Sequence, residues 1–236
     1  MKALVTGGTS GIGLAVARAL ALAGHEVTVL GRNPAALAEI SSFAAPLAVD
    51  LADGPGLAAA LAGQAPDILV NNAGMMPPLA NFCDADFADI ERAVAVNLTA
   101  TLRVTHAVLP GMRARGRGHV FFTGSTAGHA PFANIAAYAA TKAAVGGFAQ
   151  SLRLDLAPFG IRVTEIVAGR VETGLYKDIL TPEARAAMYQ GGSAVQPQDV
   201  ADMVLAVLNL PPHVDVARFD ILPTRQATAT GASKDK

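Results

Sequence analysis

The chain has 236 residues, 52% of them hydrophobic and 16% charged, with a formal net charge of -1, enough apolar material to build one large core. Its eighteen basic residues are scattered rather than massed, so no field draws nucleic acid or an anionic membrane and neither is expected as a partner. The lone cysteine, Cys83, leaves no intrachain disulfide, fits a reducing compartment, and is expected to serve as a small core hydrophobe.

The start Met1-Lys2-Ala3-Leu4-Val5 runs straight into a glycine segment, without the charged and apolar regions of a signal peptide. The most apolar stretch, Gly11 to Gly24, is interrupted by Arg18 and is shorter than the ~20 residues of a bilayer span. A soluble, cytoplasmic protein is the expectation.

Short β-branched runs alternate with longer Ala/Leu-rich segments, which predicts strand–helix–strand units around a parallel sheet. A first strand over about residues 2–6 leads into Thr6 and the spacing Gly7-x-x-x-Gly11-x-Gly13, followed by the helix-favouring run Leu14 to Leu20. Glycine at these points permits a tight turn and brings backbone N–H groups at the positive end of a helix close to a pyrophosphate. Gly7, Thr9, Ser10, Gly11, Ile12 and Gly13 are therefore candidate cofactor contacts. No Gly-Lys-Ser/Thr ending follows, so the loop is not an ATP-binding P-loop.

A second strand, about 26–30, ends in Gly31-Arg32-Asn33. An acidic residue at that point would hold the ribose hydroxyls of NAD, whereas an arginine accommodates the 2′-phosphate of NADP. Arg32 thus favours NADP(H) over NAD(H), although an exposed arginine can also be plain loop solvation. A third strand, about 46–49, is followed by Asp50 and Leu51. A fourth, about 67–71, is followed by Asn72, Ala73 and Gly74. These positions face the cofactor crevice of a dinucleotide fold, but Asp and Asn are equally the usual turn formers.

Phe87, Ile90, Val94 and Leu98 recur at helical spacing within a helix expected from Asp86 to Met112. A fifth strand, about 118–123, precedes the turn Gly124-Ser125-Thr126. A helix from Ile135 to Leu156 then carries Tyr138 and Lys142 one turn apart on one face. A nearby ammonium and a cationic nicotinamide would favour the phenolate of Tyr138, which could then exchange a proton with a substrate oxygen polarised by Ser125. Pro158 to Gly160 ends this helix, and strands are expected at about 161–167 and 218–222, with Pro211-Pro212 as loop punctuation between them. Strands apolar on both faces need helices on both sides. The predicted architecture is an α/β, single-domain, Rossmann-type doubly wound parallel sheet of about seven strands, spanning 1–226. Residues 227–236 are expected to form a mobile tail.

In this order and spacing the chain resembles the short-chain dehydrogenase/reductase family, in its compact single-domain branch, from Thr6 to about Gln226. The resemblance carries over the Thr6/Gly7/Gly11/Gly13 turn, the Asn71-Asn72-Ala73-Gly74 segment, Asn97, Ser125, Tyr138 and Lys142. It implies that Asn97 holds a water in a proton relay to Lys142, and that Lys142 also binds the nicotinamide ribose. Without it, Asn97 is simply a buried amide satisfied by backbone. The chain departs from the family at Ala168-Gly169, where a Pro-Gly opening is usual; loss of that proline should loosen the turn. Val171 and Thr173 would still meet the nicotinamide carboxamide.

The resemblance further implies a substrate lid over Gly174 to Ala194 and a homodimer or homotetramer. Met75, Met76, Met188 and Tyr189 either line an adaptable apolar pocket or pack the lid to the core. Arg170 and Arg185 are candidates for an acidic substrate. The ending Phe219 to Gln226 is similar to a branch acting on small hydroxy acids, serine-like compounds or sulfoacetaldehyde. Histidines 25, 106, 119, 129 and 213 show no metal-ligand spacing, so no metal is expected. The expected function is an NADP(H)-dependent carbonyl/alcohol oxidoreductase with Tyr138 as acid/base. NAD(H) use, or a nucleotide sensor that kept the fold without the chemistry, are the alternatives.

Overall fold

The computed structural model describes residues 1–190 and 194–225; the expected tail and residues 191–193 of the expected lid lie outside them. Seven strands, β1 (Lys2–Thr6), β2 (Glu26–Gly31), β3 (Ala45–Ala48), β4 (Ile68–Asn71), β5 (Gly118–Thr123), β6 (Ile161–Ala168) and β7 (Arg218–Ile221), form one sheet in the order β3-β2-β1-β4-β5-β6-β7. Every neighbouring pair is parallel. Each strand begins and ends within one residue of its expected bounds. The order reverses between β1 and β4, which opens a crevice at their carboxyl ends.

Helices α1 (Gly11–Leu22), α2 (Pro34–Ile40), α3 (Gly54–Leu61), α4 (Phe87–Val94), α5 (Ala100–Arg115), α6 (Ala136–Leu156), α7 (Pro182–Tyr189) and α8 (Pro197–Leu208) follow in chain order. Alternation along the strands splits the core in two. Val5 and Phe121 face a layer built with Val16, Leu20, Val200 and Val204 of α1 and α8. Their neighbours Leu4 and Phe122 face Leu57, Val104, Met112 and Leu152 of α3, α5 and α6. Burying both faces accounts for the near-continuous apolar runs of the central strands. No helix among the described residues is long and apolar enough to cross a membrane.

Three local expectations fail. The helix expected from Asp86 to Met112 is broken by a π turn over Ala95–Thr99 and runs on to Arg115, where Gly116 at φ 62° terminates it. Phe87 and Val94 recur at helical spacing yet face solvent, because α4 presents that side away from the sheet. Cys83 is exposed rather than a core residue. It sits in a short 3-10 turn, Phe82–Asp84, whose Cys83 N–H is capped by Asn81 Oδ1 at 3.1 Å, and no apolar neighbour run is long enough to bury it.

Candidate active site

The glycine segment joins β1 to α1 at the crevice. Gly7 and Gly11 have φ of +64° and +53°, and a Cβ on Gly13 would stand 2.4 Å from both Gly7 O and Asn72 Nδ2. Only glycine allows the helix start to seat so close to the strand ends. The first helical bond runs from Leu14 N to Ser10 O at 3.1 Å; the N–H groups of Gly11, Ile12 and Gly13 therefore precede any intrahelical acceptor. Ser10 is the N-cap but makes no side-chain capping bond. Free backbone donors, an uncommitted hydroxyl and a cradle that any Cβ would fill together fit the pyrophosphate of a dinucleotide.

Asn72 holds this turn rather than reaching across it. Its Nδ2 donates to Thr6 O and Gly7 O at 3.2 and 3.3 Å. Thr6 Oγ1 accepts from the backbone N–H of Asn72 and of Ala73, each at 3.0 Å. At the β2 end, a Cβ on Gly31 would fall 2.7 Å from Thr9 Cγ2, leaving no room for a carboxylate there. The next residue, Arg32, is exposed and makes no hydrogen bond or ion pair among the described residues. Asn33 N-caps α2, accepting from Ala35 N at 2.9 Å. Asp50 Oδ1 accepts from Ala52 N at 3.0 Å, an ordinary Asx turn, with Leu51 half-buried beside it.

Across the switch point, α6 brings Tyr138 and Lys142, each 6% exposed, to the end of β5. Lys142 Nζ donates to Thr123 O at 2.8 Å and lies 5.8 Å from the centroid of the Tyr138 ring. Ser125, just past β5, lies near enough to the Tyr138 phenol to act on its pKa, and its Oγ accepts from Ala127 N at 3.1 Å. Burial, reinforced by the neighbouring Tyr176 phenol, pushes Tyr138 up to about 12 against the opposing influence of the Ser125 hydroxyl. Burial likewise brings Lys142 down to about 8, with the Glu165 carboxylate acting against it. In the protein by itself, without the cationic nicotinamide that the expectation includes, desolvation outweighs the nearby ammonium, which is bonded to Thr123 O. At neutral pH the site presents a protonated phenol beside an ammonium.

Asn97 occupies the π turn and is 2% exposed. Its amide brackets the Met75 backbone, Oδ1 accepting from Met75 N and Nδ2 donating to Met75 O, both at 2.8 Å; Nδ2 also donates to Thr141 Oγ1 at 3.1 Å. Thr141 Oγ1 in turn donates to Tyr138 O at 2.8 Å. The π turn places the amide toward α6, and sequence spacing gave no sign of it.

After β6 the backbone is held by hydrogen bonds to the segment before α8. Val171 is buried and pairs with Val195, through Glu172 N to Val195 O at 2.9 Å and Val195 N to Arg170 O at 2.8 Å. Ala168, in the place of the usual proline, extends the strand opposite Ile221. Thr173 caps the following turn, and its methyl would lie 3.2 Å from a Cβ on Gly11, closing this loop onto the glycine segment. Met76, Ile135 and Tyr138 form a small apolar cluster with Leu175, Tyr176 and Ile179. Of the expected pocket residues, Met76 is here and Met75 adjoins it. Met188 O accepts from Arg170 Nη1 at 3.2 Å. Arg185 and Tyr189 line a separate cleft of about 790 Å3 with Gly11, Arg18 and Glu172, which includes none of Ser125, Tyr138 or Lys142. Polar geometry, not that volume, locates the chemistry. Sequence spacing missed Thr141, Tyr176, His129 and Glu165; a glutamate inside an apolar strand was the one available signal.

The sequence profile described as short chain dehydrogenase matches residues 1–184. An uncharacterized short-chain type dehydrogenase/reductase of Sinorhizobium fredii is 44% identical, covering 99% of this chain and 95% of its own. A probable NADP-dependent dehydrogenase of Haemophilus influenzae is 37% identical, covering 99% and 98%. The closed form of a serine dehydrogenase complexed with NADP+ superposes with a TM-score of 0.92 at 34% identity over 97% of each chain. Profile, relatives and architecture agree, and the chain belongs to the short-chain dehydrogenase/reductase family of oxidoreductases.

Proposed function

We propose that the protein, acting through one domain over 1–226, is an NADP(H)-dependent oxidoreductase interconverting a carbonyl and an alcohol, with Tyr138 as the acid/base. The observation that carries this reading is a buried phenol held protonated, with Ser125 beside it and an ammonium fixed on Thr123 O one turn away. In the reducing direction, Ser125 donates a hydrogen bond to the substrate oxygen and Tyr138 gives it a proton. The bound nicotinamide supplies the hydride. Lys142 stabilises the phenolate left behind, and its two remaining N–H donors suit the ribose. A methyl on Gly74 would lie 3.5 Å from both Asn97 Oδ1 and Lys142 Nζ, so this space could lodge the relay water between them. The glycine segment from Gly7 to Gly13, with Ala73, Gly74, Val171 and Thr173, would frame the dinucleotide.

Arg32, unpartnered beside a position without a carboxylate, supports NADP(H), as do the NADP-named relative and the NADP+-bound neighbour. Small hydroxy or oxo acids are the proposed substrates, in keeping with the serine dehydrogenase neighbour. Arg170 is the candidate for their anionic group, since its charge already acts on the Tyr176 phenol beside the apolar cluster. Exposed Phe87, Val94, Leu102 and Leu154 on α4 to α6 support a homodimer or homotetramer.

Tyr138→Phe should lower NADPH-dependent reduction by roughly 100-fold or more while fluorescence titration finds NADPH affinity unchanged. Wild-type kcat/KM for reduction should be level near neutrality and fall as pH rises through about 8, where Lys142 gives up its proton. Unchanged turnover in the variant would remove Tyr138 from the chemistry. NADPH binding without oxidation across aldehydes, ketones and oxo acids would favour a sensor instead.

A further inference from the structure

β6 carries a glutamate in the middle of its apolar run. Glu165 is 1% exposed, and its carboxylate is wedged between the two segments that hold Lys142. A Cβ on Gly124, the residue after the Thr123 carbonyl that Lys142 uses, would stand 2.6 Å from Glu165 Oε1. A Cβ on Gly146, one turn beyond Lys142 on α6, would stand 2.9 Å from the same atom. Both glycines therefore make room for the carboxylate at the place where α6 meets the end of β5.

Oε1 is held by His129 Nε2 at 3.0 Å, while Oε2 has no hydrogen-bond partner. The outer ring nitrogen, His129 Nδ1, lies 3.5 Å from Arg218 Nη1. A guanidinium can only donate. With Nδ1 accepting from Arg218, Nε2 is the nitrogen that donates to Glu165. Arg218 is itself bound to Asp220 at 2.6 and 2.8 Å. The charged or titratable groups facing Glu165 are thus Lys142 from α6, His129 from the segment before α6, and Arg218 of β7, its register partner. No direct ion pair joins Glu165 to Lys142. A buried anion with a spare oxygen and a buried cation with spare donors are nevertheless packed at the same junction of α6 with the end of β5, and each offsets the other's loss of water.

From this geometry we propose that Glu165 is a positioning residue, the buried countercharge that keeps the Lys142 ammonium protonated and oriented, with His129 and Arg218 clamping it from the solvent side. The inference rests on the reading of Lys142 above, and its test does not use turnover. The chain has five lysines, so 13Cε-lysine labelling resolves them by NMR, and the buried one is assigned with Lys142→Arg. In Glu165→Gln the Lys142 resonance should titrate about one pH unit or more below wild type; Glu165→Asp, which keeps the charge, should stay closer to wild type. Glu165→Met, apolar and of similar volume, should give the same displacement and serves if the glutamine variant does not fold. A Lys142 signal that titrates at the wild-type pH in either neutral variant overturns the proposal, whatever the enzyme's activity. Loss of activity with an unmoved Lys142 would mark Glu165 as structural only.

Discussion

The two sides of the sheet solve the problem of a buried site by opposite means. From β1 to β3 the crevice is shaped by what is missing: Gly7, Gly11, Gly13 and Gly31 let backbone approach backbone, and Thr6 is the only buried polar side chain before Asn71 among the described residues. From β4 to β7 it is shaped by polar groups driven into the interior. Asn71, Asn97, His119, Thr123, Thr141, Lys142, Thr164 and Glu165 are all buried there. A surface that grips a constant cofactor needs shape and backbone donors, which do not titrate. Proton transfer needs side chains whose charge burial can tune, so pH sensitivity should concentrate on the second side.

The strongest way to break this comparison is to put a side chain where the first side has none. Gly13→Val would drive its Cβ to within 2.4 Å of Gly7 O and Asn72 Nδ2. The helix start must then move away from the strand ends, and a displacement of about 1 Å at such a site costs roughly 100-fold or more. Isothermal titration should find NADPH and NADH weakened alike, with Tyr138 and Lys142 still in place by chemical shift. A variant that binds both as wild type would show that shape is not what the first side contributes.

The second side is sharpened by acid. His119 on β5 is stacked on Phe121 with ring centroids 3.9 Å apart, and its Nε2 pairs with Thr164 Oγ1 at 2.8 Å. Burial, aided by the Arg162 charge, lowers its pKa to about 3 from 6.5. The unfolded chain therefore binds a proton that the folded one refuses between those values. Its contribution to stability is complete above about 6.5 and is lost progressively as pH falls toward about 3. Urea unfolding followed by circular dichroism should show this group removing on the order of 3 kcal/mol between pH 7 and pH 4. His119→Gln, which keeps a hydrogen-bonding amide without titrating in that range, should flatten that part of the slope. An identical slope in the variant would place the acid sensitivity elsewhere.

The same contrast explains what could be read from the chain before folding. The glycine turn and the Tyr138/Lys142 pair are local patterns, set by turn geometry and helical pitch, so spacing alone reveals them. The strands were legible because both faces of a central parallel strand are apolar. The His129–Glu165 contact joins residues 36 positions apart, and the Asn97–Thr141 bond joins residues 44 apart; neither has a local signature. The π turn that carries Asn97 lies against α6 together with α4, a tertiary contact without a local signature. Phe87 and Val94 carry the right period but the wrong side, since periodicity identifies a face without saying what covers it. The depth of burial of Tyr138 was hidden for a related reason: the lysine one turn on was visible in the spacing, the desolvation of both groups was not.

The smallest expected effect separates shape from charge within the first side. Arg32 contributes nothing to the fold that can be traced: it is exposed, unpartnered among the described residues, and α2 is already capped by Asn33. Arg32→Ala should therefore leave Tm and NADH affinity unchanged. If Arg32 meets a 2′-phosphate, the loss of a charge-assisted hydrogen bond weakens NADPH by about 10- to 100-fold, and the difference shrinks as salt screens the exposed cation. Equal losses for the two cofactors would mean that the side chain acts through the turn. No loss for either would assign the 2′-phosphate to other donors; the Ser10 hydroxyl is uncommitted in the glycine turn, and Ser10→Ala is then the variant to titrate.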